Sequence, residues 1–388
     1  MNNNRVRSIY IGCLFLYFLL SMSAWFLWGT ILKTIIILAS VLVCIINQKI
    51  NPSDYKFLKN NQYIVLLLAF VFFNEDILAG IVSWLKIFCS IFIFRDILNL
   101  KSEVKAYLLD KFLCLFGIIS IVGVIGWLLF LFGINMPHSF VVDPAYGYVF
   151  NNYYIFIQNE FRYCSIFLEP GHYAMLAVLF LYVYRFNLKN IYVLGIFVSL
   201  LFSVSLAGYV LLIVALIILF HNAKALMLYG SIVFVGILVY GYFLSDNDDY
   251  NAFDDRIVKR AMRINEDGMS EQRTSWDFNK YYNEFLNSSS VWLGDHGAAR
   301  HKDWDDGNAG YKMFIVTNGV ISTIITFIIH WLLLVSGKSR ACRNDNIQRV
   351  GLFLLDVLIF INAAIPYWFA FFSTYVWGLS HISVKSDC

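Results

Sequence analysis

The chain has 388 residues, 60% of them hydrophobic and only 14% charged, with a formal net charge of +3. A soluble domain carries about 25% charged residues, so an ordinary water-soluble enzyme is excluded, and nothing in the charge balance calls for a nucleic-acid partner. The apolar residues form continuous runs, as in Ile118–Ile134 and Leu211–Phe220. They lack the alternation of a membrane barrel and must satisfy their backbone amides within helices.

One crossing of about 30 Å of hydrocarbon takes about 20 apolar residues. On that measure the expected spans are 8–28, 30–47, 62–74, 77–94, 111–134, 171–186, 191–205, 206–221, 225–244, 311–336, 350–364 and 366–381. The third is short, and only Pro366 separates the last two, so either could be a half-helix. The expectation is an all-α polytopic membrane protein with roughly eleven or twelve transmembrane helices. The first run, Ile9–Trp28, lacks a small-residue cleavage site and reads as a span rather than a signal peptide.

Cytoplasmic loops are enriched in Lys and Arg. With the N-terminus inside, 17 of the 29 basic residues fall in inside segments, among them Arg5, Lys56, Arg95, Arg185, Lys224, Arg340 and Lys385. Both termini are therefore expected in the cytoplasm. The chain divides into N-terminal helices (1–134), a first long outward loop (135–170), central helices (171–244), a large outward loop (245–310) and C-terminal helices (311–388). Of the cysteines, only Cys164 falls clearly in an outward loop, so no outward disulfide is expected.

Loops of this length are uncommon unless they work. The larger one holds 14 acidic and 8 basic residues and is too aromatic for plain disorder. Its periodicity predicts two short helices. Phe253–Ile264 carries Arg256, Arg260 and Arg263 beside an apolar face. Glu271–Leu286 is capped by Ser270, with Phe278, Tyr282 and Phe285 as its stripe.

The densest constellation is Arg162-Tyr-Cys-Ser-Ile-Phe-Leu-Glu169-Pro170-Gly171-His172-Tyr173-Ala174, at the outer mouth of a span. Pro170 suits a first helical turn. A helix N-terminus favours anions, and Arg162 would add a bidentate phosphate clamp. Glu169 and His172, three apart, can share one face. The plainer reading is a capped helix with a structural ion pair.

This Arg…Ser-x-Phe-x-Glu-Pro-Gly-His stretch resembles that of bacterial O-antigen and capsular polysaccharide polymerases of the Wzy type, relatives of the O-antigen ligases. The layout of helices and loops resembles theirs as well. Ser203-x-Ser205-Leu206-Ala207-Gly208-Tyr209 resembles the small-residue turn that follows. Arg273-x-x-Trp276 and Leu293-Gly294-Asp295-His296-Gly297 resemble the Arg…Leu-Gly-x-Gly stretch of the second loop. Asn308 and Asn318-Gly319-Val320-Ile321 resemble the re-entry into the membrane. One departure stands out. The family often places His-Asn before that re-entry, whereas here Asp305-Asp306-Gly307-Asn308 has no His. His296, His301 or His172 could substitute.

The resemblance implies transfer of a growing glycan from undecaprenyl diphosphate onto a lipid-linked repeat unit, at the outer face of the inner membrane. Related activities are ligation to lipid A-core and, in a different class, transport of lipid-linked oligosaccharide. Arg162, Arg273, Arg256, Arg260 and Arg263 would hold the diphosphate. Glu169 and His172 are candidates for the general base. Trp276 and Trp292 would stack on sugars, although most outward aromatics, including Tyr146, Tyr148, Tyr153, Tyr154 and Trp304, read as the interfacial belt. A flippase and a chain-length regulator are expected partners. No cofactor or metal is expected; the acidic run Asp303–Asp306 reads as a solvated turn. Lys86, mid-span, could meet the diphosphate or pair with an acid such as Asp356. His330 reads as structural.

Overall fold

The computed structural model describes residues 3–22, 25, 31–50, 100, 102–142, 149–159, 162–167, 169–220, 230, 275–295, 310–334, 343–364, 374 and 378. The expected spans 62–74 and 77–94, with Lys86, lie outside the described residues. So do 225–244 and 366–381 apart from single positions, and the loop helix 253–264.

The described chain is mostly helical. In order come α1 (Asn3–Ser21), α2 (Ile31–Ile50), α3 (Ser102–Leu131), β1 (Ser139–Val142), β2 (Val149–Asn152), β3 (Ile157–Asn159), β4 (Arg162–Tyr163), α4 (Pro170–Val183), α5 (Ile191–Leu201), α6 (Leu206–Leu219), α7 (Trp276–Leu286), a 3-10 turn (Ser289–Val291), α8 (Gly310–Leu334) and α9 (Arg343–Ala363). Among the described residues, three helices are long and apolar enough to cross a membrane, over Glu103–Leu131, Gly310–Leu332 and Asn346–Ala363.

α4 is the centre of the bundle. From Tyr173 to Val183 every residue is buried, as expected of a helix that is apolar all round. α1, α3, α5, α6 and α9 pack about it. Its parallel neighbour α6 approaches closely because residue 208 is glycine: a Cβ there would sit 2.5 Å from that of Ala174. α3 begins nine residues before the expected span. Glu103 favours its first turn through the helix dipole. Asp110, too polar for an apolar window, accepts a hydrogen bond from Tyr184 at 2.6 Å.

Two expectations are corrected. The chain is not purely α-helical: the first long loop holds a four-stranded antiparallel meander, β1-β2-β3-β4. Side chains reinforce its register, Asn152 donating to Ser139 Oγ (3.3 Å) and Asn151 to Gln158 Oε1 (3.1 Å) across paired positions. The strands are two to four residues long and rich in Asn, too short for an alternating pattern to register. In the second loop, Ser275 rather than Ser270 caps the described helix, accepting from Phe278 N at 3.2 Å.

α8 is long enough to span, but it is broken. Gly319 has φ 79° and ψ 167°. Phe314 and Phe327 both reach the ring of Phe360, at 5.1 and 4.9 Å. Thirteen residues of straight helix would separate them by about 20 Å along the axis. Beyond the break, His330 hydrogen-bonds Asp356 of α9, both buried. His330 is thus structural, and Asp356 already has a partner without Lys86.

Candidate functional site

β4 does not lie over the bundle; it enters it. Tyr163 N donates to Phe202 O (3.0 Å), Ile157 N to Ser165 O (2.9 Å), and Trp25 N to Ile166 O (3.2 Å). Phe156, Tyr163, Cys164 and Phe167 are fully buried. Cys164 donates within the same loop, to Ile157 O. The first loop thereby becomes part of the core and delivers Arg162 and Glu169 from a fixed backbone. Arg162 stands half-buried on β4, paired with Asn159.

Glu169 occupies the position before α4, with extended backbone (φ −126°, ψ 141°), and its side chain makes no capping hydrogen bond. Pro170 follows as the first helical residue, lacking an N–H and preset in φ. The Glu169 carboxylate is 56% exposed and lies 3.9 Å from His172 Nε2, itself 24% exposed. Of the plainer reading, the side-chain cap is absent but the ion pair with His172 is present. The exposed carboxylate can meet a ligand, with the imidazole one turn away. Gly171, between them, has open space: a Cβ there would meet only Met175 and Ser205 Oγ, at 3.8 and 3.9 Å.

Other elements converge on this end of α4. Ser205 caps α6, accepting from Gly208 N at 3.2 Å, so the N-termini of α4 and α6 lie side by side. Helix N-termini favour anions. The Asn362 amide of α9 is 3.8 Å from Met175 Sδ. The chain re-enters at Gly310 against Ala363, where a Cβ would meet backbone at 3.1 Å. Gly310, the first residue of α8, thus lies against the end of α9, whose Asn362 reaches Met175 of α4.

Two further sequence candidates lie on the second loop. Trp276 is the first residue of α7, and Trp292, 57% exposed, lies on the loop after it. Arg273, Arg256, Arg260 and Arg263 lie outside the described residues, as do His296, His301 and Asp303–Asp306. α7 rests on the first half of α8 through Phe278, Phe285 and Val316. Burial, and then the Asp295 carboxylate to which it donates at 2.6 Å, push the Tyr281 hydroxyl up and hold it protonated.

Comparison with protein-family models, with curated proteins and with solved structures finds no match.

Sequence reasoning missed two parts of this arrangement. The first is Lys312. It is buried on α8, donates to Asn279 Oδ1 at 2.8 Å and lies 5.2 Å from the Tyr282 ring centre. A lone lysine at the start of an apolar run was the signal. The second is a clasp between two glycines. Gly294 (φ 94°) lies so close to Gly319 that a Cβ on it would stand 2.7 Å from the carbonyl carbon of Thr317. Gly319 in turn backs onto the carbonyl of Trp292. Asp295 N donates to Val316 O (2.6 Å) and Ile321 N to Trp292 O (3.2 Å), so the loop takes up backbone groups that the break in α8 sets free. Two sequence stretches singled out separately are one contact.

Proposed function

We propose that the chain is a polysaccharide polymerase for O-antigen or capsule, a multi-span glycosyltransferase of the bacterial inner membrane. It moves a growing glycan from undecaprenyl diphosphate onto a lipid-linked repeat unit at the outer face. The observation that carries this reading is the exposed Glu169 carboxylate, one turn from His172, at the adjoining N-termini of α4 and α6. The topology that goes with it has roughly eleven or twelve spans of about 20 residues, two long outward loops and both termini in the cytoplasm.

In this reading the acceptor hydroxyl attacks the anomeric carbon of the donor glycan. The C–O bond to the diphosphate breaks, and the electron pair leaves with the lipid diphosphate. The acceptor proton passes to Glu169 or His172. Arg162, Arg273, Arg256, Arg260 and Arg263 stabilise the leaving phosphates together with the paired helix N-termini. Trp276 and Trp292 stack on sugars. A flippase delivers the substrate and a chain-length regulator sets its extent.

One observation favours transport of lipid-linked oligosaccharide instead: the break in α8, since broken helices are common at the binding sites of transporters. Here, however, the break is filled by residues 292–295. The test is the glycan ladder from cells lacking the gene, complemented by wild type or by Arg162→Ala, Glu169→Ala or His172→Ala. A polymerase leaves a single-repeat band in the deletion, a ladder with wild type, and no ladder with Glu169→Ala at normal membrane levels. Loss of every repeat unit from the outer face points to transport. Full-length chains left unattached to lipid A-core point to ligation.

A further inference from the structure

Two of the candidate residues are each followed by a tyrosine, Arg162 by Tyr163 and His172 by Tyr173. The tyrosines come from different elements, β4 and α4, yet both end on the same serine of α3. Tyr163 donates to the backbone carbonyl of Ser120 at 3.4 Å, and Tyr173 donates to its Oγ at 2.9 Å. Their rings meet edge to face, with centroids 5.3 Å apart and planes at 84°. Tyr173 also shares a hydrogen bond with Ser199 of α5. Ser120 Oγ donates in turn to Phe116 O at 2.8 Å, and Ser199 Oγ donates to Ile196 O at 3.0 Å. Tyr173 thereby joins α4 to the backbone-anchored serines of both α3 and α5.

All four residues are fully buried. A buried hydroxyl costs free energy unless it is paired, whereas phenylalanine at both tyrosine positions would bury the same rings without that risk. What the hydroxyls add is attachment of both rings to one point on α3. α3 also makes room for them: Tyr163 Oη occupies the place where residue 123 would carry a Cβ, and residue 123 is glycine. The hydroxyls of Tyr163 and Tyr173 both reach Ser120, and each tyrosine directly follows a candidate residue.

We propose that Ser120 is a shared positioning residue. Through Tyr163 and Tyr173 it sets the spacing between Arg162 on β4 and His172 on α4, and hence between the phosphates and the acceptor. The assignment rests on the polymerase reading for its chemistry, but not for its geometry. An error of about 1 Å in such spacing can cost a reaction up to about 100-fold.

The test uses full-length protein in liposomes, with Tyr163→Phe, Tyr173→Phe, Ser120→Ala and Ser120→Thr, and two readouts. The first is hydrogen exchange over 157–166 and over 169–175. Tyr173→Phe is expected to loosen both segments, although its hydroxyl touches neither 157–162 nor 164–166, and Tyr163→Phe likewise. Loosening confined to the segment that carries the substitution overturns the shared anchor. The second is polymerisation of a lipid-linked repeat unit. Ser120→Ala and Tyr173→Phe are expected to lower kcat about 10-fold or more with KM little changed. Ser120→Thr retains the rate, and the double tyrosine variant is no worse than the poorer single one. A kcat per folded molecule equal to wild type in both Ser120→Ala and Tyr173→Phe overturns the positioning role. If wild type itself fails to polymerise, the functional reading falls, and the exchange measurement still decides the anchor.

Discussion

The two long loops solve the same problem in opposite ways. The described residues of 149–172 are woven into the bundle: their backbone bonds to the chain around Trp25 and Phe202, and Phe156, Tyr163 and Phe167 are core, while Tyr154 stays exposed. Residues 275–295 are fastened on. They rest on one helix through a three-residue core and a glycine clasp, and their tip, Trp292 and Leu293, stays exposed. A woven loop holds its polar groups still at little risk of local opening. A fastened loop can shift as a unit, because few contacts resist it. Under the proposed function, the first loop carries the chemistry and the second captures substrate.

The largest expected effects test the woven loop. Glu169→Ala should lower polymerisation about 10²–10⁴-fold, the range for a positioned general base, with the thermal melting of the purified protein unchanged. Arg162→Ala should cost about 10²–10³-fold, as loss of one charge-stabilising donor does. If either variant melts well below wild type, its residue is holding the fold and the assignment of chemistry to this loop weakens.

Next come changes that unfasten the second loop. Gly319→Ala forces a side chain into a left-handed backbone pressed against Trp292 and Leu293. It should cost at least about 1–3 kcal/mol. Limited proteolysis between 275 and 295 should speed up while the 149–172 segment stays protected. Equal protection of both loops would remove the distinction. Tyr281→Phe deletes the bond to Asp295. Because that bond is partly exposed, about 1 kcal/mol is expected, read as a small fall in melting temperature. Trp292→Ala, at an exposed tip, should change stability by under about 0.5 kcal/mol. If Trp292 binds glycan, KM rises while kcat holds.

Legibility in the sequence follows the same division. Continuous apolar runs placed α2, α4, α5 and α6 within a few residues, since such runs admit one solution in lipid. The break in α8 was not legible, because Asn318-Gly319 sits inside an unbroken apolar stretch and only the tertiary contact with Gly294 shows why glycine is needed there. The meander was missed because its strands are held by Asn–Gln and Asn–Ser pairs rather than by alternation. Of the site, Arg162, Glu169 and His172 stood out as charges at the mouth of a span. Ser120, Tyr163, Tyr173 and Ser199 did not, since a serine or tyrosine in an apolar run carries no sign of its partner. Glu169 holds the extended backbone usual just before a helix, and only the absence of a side-chain bond to the helix amides departs from a cap.

The central claim is that Glu169 and His172 carry out glycan transfer. The most direct measurement supplies purified chain in liposomes with a single lipid-linked repeat unit and follows the length of the lipid-linked product. The account predicts dimers and longer chains with wild type, none with Glu169→Gln, and a protein that melts alike in both cases. Product of the same length from Glu169→Gln, or none from wild type with competent substrate, contradicts it.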